Sequence, residues 1–157
     1  MAAQISDYFQ YLADLRQELV RLIDLQPEKI KAVKAHDLDA LDVCMKQEQA
    51  ISLNLRGMEQ KREKLQSALG IAGVSLRQLP QHCPAEERGK AQQEVEETLR
   101  LREELRSAQT AARTIIEKDL RMVNEELERR GIAPEMDEHY QAGQNLPPQK
   151  MRTDFRA

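Results

Sequence analysis

The chain has 157 residues, of which 40% are hydrophobic and 32% charged, with a net charge of −3. It fits one domain and is too apolar for wholesale disorder. Aromatic residues make up 3% and tryptophan is absent, a composition that argues against a thick globular core and for long helices meeting along narrow seams. The interspersed charge excludes a basic footprint for nucleic acid, and no apolar run approaches the roughly 18 residues that a membrane span requires.

The first predicted helix covers about residues 6–35. Ser6 is placed to cap it, and Asp7 suits the positive end of the helix dipole. Tyr8, Leu12, Leu15, Leu19 and Leu22 alternate spacings of four and three, the rhythm of a coiled-coil seam, and Phe9, Val20 and Ile23 widen it. Pro27 removes one backbone donor and predicts a kink or a restart, after which Ile30 and Val33 resume the apolar face.

His36-Asp37 punctuates the chain, and Asp37 can cap a second helix over 38–69. Its seam runs Leu41, Cys44, Glu48, Ile51, Leu55, Met58, Arg62, Leu65, Leu69, with Glu48 and Arg62 as polar exceptions that fix register at a cost in stability. Gly70 predicts a left-handed stop, with Ile71 folding back on Leu65. From Gly73 to Pro84 runs a connector in which Ser75 caps a short turn through Leu76 and Leu79.

The dominant element is the proline-free run 85–130, a rod of about 69 Å. Pro84 suits its first position, and Gly131 its stop, sealed by Leu127 against Ile132. Pairs Glu86–Lys90, Glu96–Arg100, Glu117–Arg121, Glu125–Arg129 and Glu126–Arg130 are spaced to brace its exterior. Ala91, Val95, Leu99, Leu105, Ala112, Ile116, Leu120, Val123 and Leu127 form one stripe at 100° per residue, with Arg102 and Gln109 inside it. Such a stripe needs partner helices, and the 38–69 seam is the expected one.

Beyond Gly131 lies a tail, 132–157, broken by Pro134, Gly143, Pro147 and Pro148. Ile132, Met136, Tyr140, Leu146, Met151 and Phe155 have no evident core to join there, and are the candidate residues for binding a partner; the alternative is a frayed end or a strand of tail lying on the rod. Catalytic and metal patterns are missing. His82-Cys83 is the only Cys–His neighbourhood, adjacent residues do not generally place thiol and imidazole for proton transfer, and no zinc spacing, phosphate loop or cofactor motif occurs. Cys44 and Cys83, far apart in sequence, read as reduced thiols of a cytoplasmic protein, and the start lacks a signal-peptide pattern.

Several of these segments resemble one family. His36-Asp37-Leu38-Asp39-Ala40-Leu41, then Glu48, Leu55, Glu59, Arg62 and Leu65 up to Leu69-Gly70, is similar to the FlgN-like flagellar export chaperones. That family typically reads Gly-Asp-Leu-(Glu/Asp)-Ala-Leu at the turn, where this chain has His36, and it often has a paired Leu where this chain has Ala50-Ile51. Leu76 and Leu79, Asn124 and Leu127, and Tyr140 followed by Gly143 extend the likeness over about residues 10 to 145.

The resemblance implies a cytosolic chaperone, not an enzyme. Its clients would be the hook-filament junction proteins, hook-associated proteins 1 and 3, held by their C-terminal segments and delivered to the type III export gate. The expected architecture is all-α: an elongated antiparallel bundle of three main helices with a short connector helix over residues 1–131, then the tail. The expected state is a monomer or weak dimer. A homo-oligomeric coiled-coil scaffold is the alternative.

Overall fold

The structure, a computed structural model, describes residues 2–131, all of whose regular elements are helical. They are α1 (Ile5–Lys34), α2 (Leu38–Ala68), a 3-10 connector (Leu76–His82) and α3 (Arg88–Arg129). The chain forms an all-α bundle of three long helices.

α1 starts earlier than Ser6 predicts. Gln4 is the N-cap, and its backbone N–H donates to the Asp7 carboxylate at 2.7 Å, so the acid closes back on the cap rather than Ser6 reaching forward. The helix runs unbroken through Pro27 to Lys34, as one helix over about 6–35 requires, so of the two expected effects of the proline the restart does not occur. Leu19, Leu22, Gln26 and Ala32 are buried on both sides of the proline, while Pro27 itself faces outward. The buried Gln26 amide donates to the Leu22 carbonyl at 3.0 Å, adding one side-chain bond in the turn that the proline weakens.

The α1–α2 turn shows why the residue before Asp37 is special. Asp37 N–H donates to Ala32 C=O and His36 N–H to Val33 C=O, the paired bonds of a Schellman stop. That stop requires a left-handed residue, and His36 supplies it at φ 53°. Asp37 then accepts from Ala40 N–H at 3.0 Å and starts α2. Gly70 repeats the device at the end of α2 with φ 72°, Ile71 N–H donating to Gln66 C=O. Ile71 and Leu65 join the core beside that stop.

The centre of the bundle is α1. It packs against both α2 and α3, whereas α2 and α3 have no backbone approach to each other, and the connector packs on α3. This corrects the expectation that α2 is the main partner of α3. The cause lies in the composition of α1: Tyr8, Tyr11, Leu12, Leu15, Leu19 and Leu22 are at most 4% exposed, a band wide enough to serve two neighbours. α2 runs antiparallel to α1, as Lys29–Glu48 at 2.8 Å and Gln66–Tyr8 at 3.5 Å show. α3 runs parallel to α1: Lys90 lies over the Phe9 ring, and Arg16 meets Glu94 and Thr98.

The polar exceptions in the seams find partners. Glu48 takes Lys29 across the α1–α2 seam, and Arg62 pairs with Glu59 on the rim of a small cavity shared with Tyr8, Tyr11, Thr98 and Arg102. That cavity, about 20 Å³, has room for little beyond one water. The first turn of the expected third helix is a separate turn closed by Glu87 N–H to Pro84 C=O, so α3 begins at Arg88.

Candidate functional site

α3 is longer than the bundle that supports it. Its 42 residues span about 63 Å, against 30 residues in α1. The register of the parallel pair follows from Arg16, which bonds Glu94 and Thr98 at separations of 78 and 82 residues. Carried to Lys34, that offset sets the end of α1 beside residues 112 to 116. Burial agrees, since Ala112, 1% exposed, is the last buried residue of α3.

Beyond it the stripe continues. Ile116, Leu120, Val123 and Leu127 hold the 4-3-4 spacing and lie on the face that Ala91, Val95, Leu105 and Ala112 bury against the bundle. None of the four is fully buried: Ile116, Leu120 and Leu127 are half-buried, and Val123 is 42% exposed. The sequence pattern marked these residues but could not show that α1 and α2 end before reaching them. The result is a projecting helix end of about 20 Å with an apolar face and no neighbour among the described residues.

The projection has local supports. It extends a helix already nucleated, so it avoids the cost of a first turn. Glu126 pairs with Arg130 at 3.1 Å and Arg129 at 3.6 Å near the C-terminal end, where cations also meet the helix dipole favourably. Gly131 takes the stop conformation at φ 71°, with its N–H donating to Glu128 C=O. Elsewhere Arg100 bonds Glu97 and Glu104 rather than Glu96.

The six tail residues named as partner-binding candidates, Ile132, Met136, Tyr140, Leu146, Met151 and Phe155, lie outside the described residues, as does the Leu127–Ile132 seal.

The remaining chemistry is structural. Cys83 is buried and its thiol lies 3.3 Å from the Leu79 carbonyl, with burial pushing the thiol pKa up; His82 beside it is exposed. Thiol and imidazole thus face different environments. Cys44 is also buried and unpaired. Among the described residues no cluster of His, Cys, Asp or Glu could hold a metal, and no helix is long and apolar enough to cross a membrane.

Fold and free face together define a three-helix bundle whose last helix projects an amphipathic end. The chain belongs to the FlgN family: the family model described as FlgN protein matches residues 1–130, the whole bundle with its projection. It is a FlgN-like flagellar chaperone by family, and that family is not enzymatic. No curated protein and no solved structure matches the chain.

Proposed function

We propose that this protein is a cytosolic export chaperone that holds the C-terminal segments of the junction proteins, hook-associated proteins 1 and 3. Holding them prevents premature assembly until delivery to the type III export gate. The observation that carries the reading is the apolar face Ile116–Leu120–Val123–Leu127, continuous with the core seam, half-buried to exposed, and without a partner helix among the described residues. A client's amphipathic helix would take the place beside α3 that α1 holds lower down. The tail then closes over that helix, with Met136, Tyr140 and Leu146 as anchors, Tyr140 because its ring buries a large area with few rotors.

An anchor contributes about 1.5–3 kcal/mol on burial, and ordering the tail offsets about 2–5 kcal/mol of the gross gain. The helical face therefore supplies most of the affinity, and the tail about 2–3 kcal/mol, or roughly 30- to 150-fold.

Isothermal titration against a junction-protein C-terminal fragment tests this. Truncation after Gly131 is expected to weaken binding within that range while leaving the melting temperature nearly unchanged. Equal affinities would remove the tail from the client site. A lowered melting temperature would make it part of the fold, and an obligate oligomer with no affinity for the fragment would favour a scaffold.

A further inference from the structure

We propose that the charges around the free stripe of α3 select its occupant: an antiparallel amphipathic helix of another protein, with Lys or Arg facing Asp119 and Glu126 and carboxylates at the ends of its stripe. The same charges turn away a second copy of this chain. The proposal rests on the reading that this face docks a client helix.

The apolar residues alone do not discriminate. Ile116, Leu120, Val123 and Leu127 are spaced 4-3-4, a pattern symmetric about its midpoint. An antiparallel second copy would set Ile116 against the copy's Leu127 and Leu120 against its Val123, a regular seam. A parallel copy has no room, because its α3 would run into the α1 that covers the same face up to Ala112.

Charge decides the antiparallel case. Arg113 and Arg130 continue the stripe at its two ends, so self-pairing brings Arg113 against the copy's Arg130, twice by symmetry. Asp119 and Glu126 share one flank of the stripe, and self-pairing brings them opposite each other, again twice. Glu126 is partly neutralised by Arg129 and Arg130 of its own chain. Asp119 and Arg113 have no ion-pair partner among the described residues, so their fields are open to whatever docks. A helix of opposite pattern meets both: its cations face Asp119 and Glu126, and its carboxylates face Arg113 and Arg130.

Two measurements on the full-length chain test the proposal. In sedimentation equilibrium the wild type is expected to be monomeric, while Arg113→Glu/Asp119→Lys, which makes all four pairings attractive, should self-associate at least about tenfold more strongly. The second uses two designed peptides of about 20 residues with the same leucine seam. One carries Lys on the flank and Glu at the ends, and the other has these charges exchanged. The Lys-flanked peptide should bind about tenfold tighter, Asp119→Lys/Glu126→Lys should abolish the preference, and adding Arg113→Glu/Arg130→Glu should reverse it.

Equal peptide affinities, or a wild-type dimer abolished by Leu120→Asp, would overturn the proposal. So would tighter peptide binding after removal of 132–157, which would make the chain's own tail the occupant. If a junction-protein fragment binds through Leu120 while the two peptides bind alike, the charge proposal falls and the chaperone reading stands. If neither fragment nor peptides depend on Leu120, both fall.

Discussion

His36 is the one non-glycine residue with positive φ among the described residues, at 53°. A left-handed conformation strains a residue that has a Cβ, and a glycine there would be free of it. His36→Gly should therefore stabilise the protein by about 0.5–1 kcal/mol, the gain being cut by the extra freedom of glycine in the unfolded chain. Thermal denaturation should show a rise of about 2–3 °C; a fall would mean that the His36 ring makes a stabilising contact.

Tyr8 and Tyr11 give a second prediction at this scale. Burial raises both phenol pKa values above the ordinary 10.0, and the nearby Glu59 carboxylate raises them further, against the opposing charge of Arg62. The folded state thus prefers the neutral phenols. Their contribution is complete below the unfolded pKa of about 10 and is lost as pH rises through the folded values. Melting temperature should fall above about pH 10, and more steeply in the wild type than in Tyr8→Phe/Tyr11→Phe. Parallel curves would show that the phenols do not titrate with unfolding.

At the scale of elements, the three seams are held by α1. Leu55 on α2 is 3% exposed in the core that α1 shares with α2. Leu55→Asp removes a buried side chain and places an unpaired carboxylate there, a loss of about 4–5 kcal/mol and a large part of a typical stability. Denaturant unfolding should show that loss; an unchanged midpoint would place Leu55 outside the seam.

The helices themselves were legible in the sequence because apolar residues, caps and glycine stops agree along each one. The 4-3 spacing of Tyr8 to Leu22 and the stop at Gly70 are cases where local and tertiary demands coincide. Pairing was not legible. Periodicity shows that a face is apolar without saying which face meets it, so it points α3 toward α2 although the wider band on α1 serves both. Pro27 leaves the single predicted helix intact: its local cost is real, but burial on both sides of it keeps α1 continuous. Thr98, 1% exposed, was missed because a threonine gives no apolar signal. It is buried with its hydroxyl donating to Glu94 C=O at 2.7 Å and accepting from Arg16.

For the whole molecule, the informative quantity is the difference in helix length. α1 and α2 are of nearly equal length and joined by a tight turn, so together they end at one level, and α3 passes it. The candidate site is thus a consequence of the bundle: the seam that folds the protein continues beyond the fold. A face in this position is expected to be helical yet weakly protected, since no other described helix packs over its backbone bonds.

Backbone hydrogen exchange resolved along α3, with and without a junction-protein C-terminal fragment, tests the central claim most directly. Alone, residues 113–130 should exchange much faster than 91–112. On adding the fragment, protection should appear in 113–130 and leave the outer face of α2 unchanged. Slow exchange of 113–130 in the free protein, or client protection confined to another helix, would contradict the assignment of the free end of α3 as the client surface.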